Sequence, residues 1–518
     1  MPTKLSRIKP SSKEIIIHYD PAVKQLVPHA KEYNLSIGKC LAVPHGIDET
    51  KLLRNLGYEV ESPFLTYYDW QNTKPYDHQK VTSDLLVHYE RAFVLNDMGT
   101  GKTLSVLYAI DYLTKMLLVD KVLVVAPLSI LTAVWEHEVF HWMPHLDAVV
   151  LHGTAKKRHQ LLAEDHDIYI INHDGVATVK DALKKRGDID LIVVDELTAY
   201  RNATTRRWKA LNAISSGKRM WGLTGSPTPQ APTDAFGQVK LIAPTRVPRS
   251  FKMFQSETML QISPFTWVPK STALKTVHMA MQPSVRFKME DCISLPPVTT
   301  TEINLPLTSE QEGIYKQIMQ KLFFQYQQDE VTAANEGVKL SKLLQISAGF
   351  VYKSNVNGAI QLDNKNRIDA LCDILDAARK KVICFIPFRY GAELLQTTLN
   401  KRGYDTALVH GGVSKAKRDI IYDKFQNSDE IKCLVAHPAT MAHGLTLTNA
   451  NVVVWFSPSP SLEVYLQANA RVRRPSQTSK QYIVHLYGSK VESRVYKRLV
   501  NKNKVQGALL EMFEDTTE

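Results

Sequence analysis

The sequence predicts an α/β protein with two tandem, doubly wound parallel-sheet lobes and a small N-terminal α+β domain. Short apolar segments alternate with stretches of helical periodicity, and this pattern occurs twice. Segments that are apolar throughout are typical of strands buried on both faces by helices. The predicted strands of the first lobe are Ala92–Asn96, Val122–Ala126, Ile168–Ile171, Leu191–Val194 and Met220–Leu223. Those of the second lobe are Lys381–Ile386, Thr406–His410, Cys433–Ala436, Asn451–Phe456 and Gln481–Leu486.

The segment before residue 70 has a different pattern. Ile15–Ile17 and Lys39–Val43 predict short strands, and Val23–Tyr33 has helical spacing. Asp48 is a candidate N-cap for a helix that ends at Gly57. This segment therefore predicts a small α+β unit, and we find no catalytic pattern in it.

These patterns divide the chain into five regions. The predicted regions are an accessory domain (1–70), a first lobe (71–245), an inter-lobe helical insertion (246–360), a second lobe (361–500) and a C-terminal tail (501–518). Within the insertion, helical spacing covers Ser309–Gln328 and Asn335–Ser347. The helix after Val491 is expected to end near the lysine-rich residues 501–504, and the acidic end of the tail to be frayed.

Composition limits the classes of protein to consider. A formal charge of +12 and a pI near 9.2 indicate a polyanionic partner such as nucleic acid. No run approaches the roughly 18 uninterrupted apolar residues of a membrane helix, and the start lacks the apolar stretch of a secretory signal. We therefore expect no membrane association and a cytoplasmic protein.

The five cysteines form no CxxC pair and predict buried thiols, not a disulfide framework or a zinc site.

A glycine-containing loop, Asn96-Asp97-Met98-Gly99-Thr100-Gly101-Lys102-Thr103, follows the first predicted strand and leads into a helix. Glycines let backbone N–H groups wrap phosphates, and a helix start adds donors and a favourable dipole. In such a loop Lys102 reaches the β- and γ-phosphates and the Thr103 hydroxyl holds Mg²⁺. The general pattern has glycine where Asn96 stands. The alternative, a glycine-rich turn without phosphate chemistry, is disfavoured by the strand before the loop and the helix after it.

Two adjacent carboxylates, Asp195 and Glu196, follow the predicted strand Leu191–Val194. Loops at this edge of a doubly wound sheet hold ligands. We assign Asp195 to Mg²⁺, bound through water, and Glu196 to the orientation and deprotonation of an attacking water. A solvated loop is the alternative. The position in the same predicted sheet as Lys102, 93 residues later, favours the catalytic interpretation.

Together these segments resemble the motifs of the superfamily-two helicases, and within them the Swi/Snf-type DNA translocases, over roughly residues 74–500. The resemblance implies two RecA-like lobes that hydrolyse ATP with Mg²⁺. It also implies that Gln79 reads the adenine and that Met98, Gly99, Thr100 and Gly101 belong to the phosphate loop. Asp195–Thr198 resembles motif II and reads DELT instead of the common DEAH. Thr224, Gly225 and Ser226 resemble motif III, which links the ATP site to the DNA path.

The narrower resemblance depends on the later part of the chain. Arg286–Lys288 and the segments after it are similar to the Swi/Snf inter-lobe segment. His443–Thr448 resembles motif V, which implies a nucleotide contact for Gly444. Gln467–Gln477 resembles motif VI, which implies that Arg471 and Arg474 reach the ATP on the first lobe. An arginine there neutralises charge that develops on the γ-phosphate. The motif variants and the compact build look most like the bacteriophage-encoded members, which implies the host-cell cytoplasm.

The implied partner is DNA, duplex or branched, in preference to RNA. Such motors contact mainly phosphates. The resemblance implies contacts at Ser129, His152, Gly153, Arg389 and Thr440, each of which can also be an ordinary loop residue. The sequence identifies no protein partner, and the N-terminal domain is a candidate docking or DNA-recognition module.

Three hypotheses for the function remain open at this stage. The first is a translocase that tracks along duplex or branched DNA and serves fork remodelling, branch migration or strand annealing in replication, recombination or repair. The second is a strand-separating helicase that grips one strand of DNA or RNA, for which aromatic stacking platforms are typical. The absence of an interleaved basic and aromatic stripe favours the first. The third is an ATP-gated DNA-binding scaffold with little turnover, against which Lys102, Glu196 and Arg474 argue.

Overall fold

The computed structural model describes residues 6–36, 38–70, 74–263, 266–328, 333–353, 358–441 and 446–514. These residues form two compact units, the first mainly from residues up to 288 and the second mainly from 289–511. The N-terminal domain and the first lobe belong to the first unit, and the second lobe belongs to the second unit. The five predicted domain boundaries remain a prediction.

The N-terminal domain is an antiparallel sheet covered by short helices. Its strands pair in the order β1-β2-β4-β3. They are β1 (Ser6–Lys9), β2 (Glu14–His18), β3 (Lys31–Leu35) and β4 (Gly38–Pro44), and the helices are α1 (Pro21–Leu26), α2 (Ile47–Asn55) and α3 (Pro63–Tyr67). Buried aliphatic side chains such as Ile15, Ile17, Leu41 and Val43 form its core. The prediction of a small α+β unit is confirmed.

Two local predictions in this domain are wrong. The helix expected over Val23–Tyr33 ends at Leu26, because Pro28 disfavours a helical backbone at Val27, which has φ −124°. The residues that follow form the exposed edge strand β3. Asp48 is also not the N-cap of α2: Gly46 has that position, and Asp48 lies in the first turn, where its charge favours the helix dipole.

The first lobe is a parallel sheet with the strand order β13-β5-β10-β9-β6-β8-β7. Its strands are β5 (Arg91–Val94), β6 (Lys121–Ala126), β7 (Ala148–Val150), β8 (Ile168–Asn172), β9 (Ile189–Asp195), β10 (Arg219–Leu223) and β13 (Ser284–Val285), and a hairpin is formed by β11 (Met259–Ser263) and β12 (Thr266–Pro269). The helices are α4 (Asp77–His88), α5 (Lys102–Lys115), α6 (His137–Trp142), α7 (Ala155–Ala163), α8 (Val176–Leu183), α9 (Arg206–Asn212), α10 (Ala235–Ile242), α11 (Phe251–Thr258) and α12 (Ala273–Ala280). The five strands predicted for this lobe are confirmed.

The second lobe is also a parallel sheet, with the strand order β14-β21-β20-β17-β19-β18. Its strands are β14 (Val298–Asn304), β17 (Lys381–Phe385), β18 (Thr406–Val409), β19 (Cys433–Ala436), β20 (Ala450–Trp455) and β21 (Gln481–Tyr487), and a hairpin is formed by β15 (Phe350–Tyr352) and β16 (Ala359–Gln361). The helices are α13 (Met289–Cys292), α14 (Ser309–Gln328), α15 (Ala333–Ser347), α16 (Lys365–Ala377), α17 (Arg389–Lys401), α18 (Lys415–Asn427), α19 (Leu462–Asn469) and α20 (Lys490–Glu514). The two-lobed α/β prediction is therefore confirmed.

The segment between the lobes contributes a strand to each sheet. β13 pairs with β5 and β14 pairs with β21, so residues 246–360 are not purely helical. The sequence did not predict either strand, since β13 has two residues and β14 reads VTTTEIN, without an apolar run. The predicted end of the last helix near residues 501–504 is wrong: α20 continues to Glu514, and Leu509 and Leu510 on it are buried. Of the tail expected to be frayed, 511–514 are helical and 515–518 lie outside the described residues.

A buried carboxylate joins the N-terminal domain to the first lobe. Asp111 on α5 is fully buried and accepts hydrogen bonds from Tyr68 Oη at 2.6 Å, Lys115 Nζ at 2.7 Å and His145 Nε2 at 2.6 Å. Phe64 and Tyr68 also pack in the core of the first lobe. A buried charge is tolerated when it is paired and hydrogen-bonded, so this contact holds the N-terminal domain on the helix that begins at Lys102.

Cys40, Cys372, Cys384 and Cys433 are buried and Cys292 is half-buried, all as free thiols, as the sequence predicts for most of them. Within the described ranges, the structure contains no helix with both the length and the apolar character that crossing a bilayer requires.

Candidate nucleotide site

The loop between β5 and α5 has the backbone that its glycines require. Gly99 has φ +89° and Gly101 has φ +75°, a region that other residues rarely adopt. Helix α5 begins at Lys102, and Thr103 follows in its first turn. Backbone N–H groups at such a helix start are ready donors for phosphate oxygens.

Asn96, which stands where the general pattern has glycine, makes a specific contact in this chain. Its side chain is 1% exposed, and its Nδ2 donates to Thr82 Oγ1 on α4 at 2.9 Å. Asn96, in place of the usual glycine, therefore connects the start of the loop to the neighbouring helix α4.

Helix α4 also contacts the C-terminal end of the loop, at Thr100 and Gly101. Gln79 Nε2 donates to Gly101 O at 3.4 Å, and its Oε1 accepts from Tyr76 N at 3.0 Å. A Cβ at position 101 would displace the Gln79 amide, and the positive φ there favours glycine. His78 Nε2 bonds to Thr100 O at 2.8 Å, and burial lowers the pKa of this imidazole. Gln79, the predicted adenine reader, thus lies directly beside the phosphate-binding loop.

The ammonium group of Lys102 lies inside the loop. Its Nζ donates to Asn96 O and to Asp97 O, both at 3.0 Å. Phosphate oxygens are stronger acceptors than these carbonyls, since they carry charge. The geometry therefore fits the role predicted for Lys102 as a phosphate ligand.

Asp195, at the end of β9, is held from two sides. Trp135 Nε1 donates to its Oδ2 at 3.0 Å, and the Glu196 N–H donates to its Oδ1 at 3.0 Å. Burial raises the pKa of Asp195, while the Lys102 charge and these two donors oppose the rise. Each carboxylate oxygen keeps a lone pair for a further donor.

These free lone pairs fit the predicted attachment of Mg²⁺ through water. Mg²⁺ keeps several waters and usually needs one or two carboxylates plus substrate phosphates. Among the residues that the structure describes, no cluster of three or more His, Cys, Asp or Glu forms an all-protein metal cage. The Asp195 carboxylate and the Thr103 hydroxyl would supply oxygen ligands, the kind that Mg²⁺ takes.

Glu196 has an unusual backbone. It lies in the left-handed region, with φ +52° and ψ +56°, which costs a non-glycine residue about 1–2 kcal/mol. Such strain persists where the surrounding structure imposes it, often at functional positions. Its side chain is half-buried, which leaves part of the carboxylate accessible to water.

Motif II and motif III are directly hydrogen-bonded. Thr198 Oγ1 bonds to Thr224 Oγ1 at 2.7 Å and donates to Ser226 O at 2.9 Å, and the Ser226 N–H donates to Thr224 Oγ1 at 3.1 Å. A Cβ added at Gly225 would lie 3.3 Å from Asn96 O of the phosphate loop. The threonine of DELT therefore links the carboxylate pair to the strand β10, which lies between β5 and β9.

Sequence reasoning did not assign Arg286 and Trp135 to this site. Arg286 is 4% exposed, and it pairs with Asp97 Oδ1 at 2.7 Å and donates to Leu95 O at 2.7 Å. Arg286 was singled out only as part of the segment that resembles the Swi/Snf inter-lobe segment. Arg286 directly follows the two-residue strand Ser284–Val285, which is too short to give a clear signal in the sequence.

The motif VI segment of the second lobe is closely packed. Arg471 is 3% exposed and its Nε donates to Gln467 O at 3.0 Å. Gln477 Nε2 donates to three backbone oxygens, those of Thr448, Ala450 and Val472, at 2.9–3.2 Å. Burial lowers the pKa of the Arg474 guanidinium. Its Nε is buried and has no hydrogen-bond acceptor among the described residues. Gly444 lies outside the described residues.

The predicted nucleic-acid contacts all follow carboxyl ends of strands. Ser129 is exposed in a turn after β6, and His152 and Gly153 are exposed after β7. In the second lobe, Arg389 begins α17 after β17 and pairs with Glu393 at 2.8 Å, and Thr440 follows β19 and donates to His437 O at 2.7 Å. Within each lobe these residues therefore lie at one edge of the sheet.

A glycine loop with an internal lysine, beside a carboxylate pair on the same sheet edge, is the arrangement of a P-loop nucleotide-binding lobe. The chain belongs to the SNF2-related family: the SNF2-related domain matches residues 78–353, over half of the chain, and the helicase conserved C-terminal domain matches residues 366–476. The protein is thus a Swi2/Snf2-type ATPase, an ATP-hydrolysing enzyme.

The alignment with this chain covers nearly all of one relative and about half of another. It is 25% identical over 469 residues to putative protein p41 of Acyrthosiphon pisum secondary endosymbiont phage 1, covering 85% of this chain and 98% of that protein. It is 25% identical over 479 residues to the SWI/SNF-related matrix-associated actin-dependent regulator of chromatin subfamily A-like protein 1 of Xenopus laevis, covering 89% of this chain and 47% of that protein. The chain spans about half the length of this second relative. The solved SWI2/SNF2 ATPase core of Sulfolobus solfataricus in complex with dsDNA aligns at 22% identity with a TM-score of 0.42, over 87% of this chain and 97% of that one.

Trp135 offers a test of how Asp195 is held. Replacing Trp135 by phenylalanine removes an N–H that stabilises the Asp195 carboxylate, so the pKa of Asp195 is expected to rise further. Because the ionised form is the one that binds Mg²⁺, the acid limb of the ATPase pH–rate profile should move to higher pH. Trp142→Phe, at a half-buried tryptophan on α6, is the matched control. Identical profiles for the two variants would contradict this role.

Proposed function

We propose that this ATPase is a DNA translocase that moves along duplex or branched DNA. The observation that carries the proposal is the joined arrangement of Lys102, the Asp195–Glu196 pair and motif III on neighbouring strand ends of one sheet. Such an arrangement couples the state of the bound nucleotide to movement of the protein segments at these β-strand ends. Fork remodelling, branch migration and strand annealing are the activities that the resulting translocation along DNA serves.

In the proposed mechanism the first lobe holds the triphosphate. Loop N–H groups from Met98 to Thr103 and the Lys102 ammonium bind phosphate oxygens, and Gln79 binds the adenine. Mg²⁺, when bound by Thr103 and through water by Asp195, would polarise the phosphates and neutralise their charge. Trp135 keeps the Asp195 carboxylate oriented.

Glu196 accepts a proton from the attacking water while the water oxygen bonds to the γ-phosphorus. The bond from that phosphorus to the bridging oxygen breaks, so ADP leaves and inorganic phosphate forms. In this proposal the second lobe contacts the nucleotide through Gly444. It neutralises charge on the γ-phosphate through Arg471 and Arg474. Loss of the γ-phosphate changes the hydrogen bonds at motif II, and the Thr198–Thr224 contact transmits the change to motif III.

DNA as the substrate is supported by family membership and by the formal charge of +12. The proposed phosphate contacts are Ser129, His152, Gly153, Arg389 and Thr440. We also propose a bacteriophage-encoded protein that acts in the cytoplasm of its host, which the near-complete coverage of a phage relative supports.

The proposal is tested by ATPase rates without nucleic acid and with duplex DNA, single-stranded DNA, RNA or branched DNA. We expect duplex and branched DNA to stimulate hydrolysis, with a steep fall as salt increases. Displacement of a third strand from a triplex, without separation of the duplex, would show movement along the duplex.

Other outcomes identify the alternatives. Stimulation by single strands but not by duplex favours a strand-separating helicase. Tight DNA binding with negligible turnover on every nucleic acid favours an ATP-gated scaffold. Unchanged ATPase activity in Lys102→Ala would contradict the assignment of the nucleotide site.

A further inference from the structure

A strongly basic segment follows the last large strand of the first lobe. Residues 240–280, named here the basic module, contain six lysines and arginines and a single acidic residue, Glu257. This segment of 41 residues thus carries five of the twelve net positive charges of the chain. The basic residues are Lys240, Arg246, Arg249, Lys252, Lys270 and Lys275.

The fold of the module brings these charges together. It comprises the end of α10, the segment that follows it, α11, the β11–β12 hairpin and α12. Lys240 Nζ donates to Arg249 O at 2.6 Å, Arg246 Nη1 to Met279 O at 3.1 Å and Lys270 Nζ to Ser256 O at 2.5 Å. Each of these bonds joins residues distant in sequence, so the module is a connected surface.

The charges of this surface are not neutralised by carboxylates. Among the residues that the structure describes, none of the six basic side chains forms an ion pair with Asp or Glu, whereas Arg186 and Arg207 elsewhere in the lobe do. All of the six except Lys240 are exposed. Unpaired positive charge of this density attracts a polyanion.

A cavity in the module has the chemistry of a phosphate site. It has a volume of about 470 Å³ and is lined by Arg246, Thr272, Lys275, Thr276, Met279 and Ala280. Arg246 uses one of its five N–H groups on Met279 O, so the others can face a ligand. Guanidinium, ammonium and hydroxyl groups are the side chains that most often contact DNA phosphates.

We propose that the basic module binds the phosphodiester backbone of DNA, with Arg246 and Lys275 as phosphate ligands at its cavity. The module lies outside the strand-end residues assigned to DNA above, so it is an additional contact surface. The proposal rests on the proposed function in that DNA is taken as the polyanion. An acidic protein is the other class of partner, and the experiment distinguishes it.

The test is the binding of labelled duplex DNA to the full chain, measured by fluorescence anisotropy over a range of salt concentrations. For Arg246→Gln/Lys275→Gln we expect the Kd to rise about tenfold and the slope of log K against log salt to fall by about 2. Lys184→Gln/Lys185→Gln, which removes two exposed charges after α8, is the matched control and should bind like the wild type. Arg246→Lys/Lys275→Arg keeps both charges and should also retain binding, which separates loss of contact from misfolding.

The binding and ATPase measurements together distinguish the absence of this phosphate contact from the absence of translocase activity. An unchanged Kd and salt slope in the Gln variant would overturn the phosphate contact, even if duplex DNA stimulates the ATPase. Weaker binding of the variant to poly-glutamate with unchanged binding to DNA would also overturn it, in favour of an acidic protein. If duplex DNA binds through the module but does not stimulate hydrolysis, the proposed translocase fails and the contact stands.

Discussion

Replacing Arg474 by alanine is expected to lower ATP turnover about 10³-fold or more while ATP binding stays largely intact. A positioned arginine stabilises charge that develops on the γ-phosphate in the transition state, and its loss typically costs this much. Burial lowers the pKa of the Arg474 guanidinium, and its buried Nε lacks an acceptor among the described residues. A desolvated arginine with an unused donor is suited to a ligand that arrives during the cycle. Steady-state ATPase and the binding of a fluorescent ATP analogue measure the two effects.

The control for Arg474 is its neighbour. Arg473 Nη2 pairs with Glu290 at 2.9 Å, with about a third of the arginine side chain exposed. Arg473→Ala should therefore leave turnover within a few-fold of the wild type, because exposed ion pairs contribute about 0–1 kcal/mol. Loss of ATP binding in Arg474→Ala would show a structural role instead, as would equal losses of turnover in the two variants.

Replacing Glu196 by glutamine is expected to lower turnover about 10²- to 10⁴-fold, the range that general base catalysis contributes. The amide keeps the size of the side chain but cannot accept the proton of the attacking water. ATP binding should persist, since Lys102 and the glycine loop remain. Single-turnover hydrolysis with saturating ATP isolates the chemical step from product release.

Glu90→Gln, at an exposed carboxylate before β5, is the matched control for Glu196→Gln. It makes the same chemical change in the same lobe and should leave the rate unaltered. If Glu196→Gln hydrolyses ATP at the rate of the wild type, then Glu196 is not the base. The left-handed turn at residue 196 would then have to be explained by packing alone.

Much of the fold was predictable because its signals are local. A strand buried on both faces is apolar along its whole length, and all ten strands predicted for the two lobes lie in the two parallel sheets. The missed strands lack this signal: β7 has three residues, β13 has two, and β14 is mostly polar. The helix expected to reach Tyr33 shows the converse error, since its spacing continues through Pro28 although the backbone does not.

The residues of the candidate nucleotide site were likewise predictable from local signals, whereas the contacts between them were not. Lys102, Thr103 and the Asp195–Glu196 pair were assigned from short patterns next to predicted strands, and the structure places them at the carboxyl ends of strands of one sheet. The contacts that orient them were not predicted. Trp135 is 60 residues from Asp195, and Arg286 is 189 residues from Asp97.

For this chain, local residue order was sufficient to predict the class of fold and to single out the glycine loop and the two carboxylates as candidates, because each depends on neighbours a few positions away. The packing of the sheet determines which donors meet those groups, because strands distant in sequence lie side by side. Only that packing explains why Asn96 replaces a glycine, since its partner Thr82 is on α4. It also explains why motif II ends in Thr198, whose hydroxyl reaches Thr224 directly after the neighbouring strand β10.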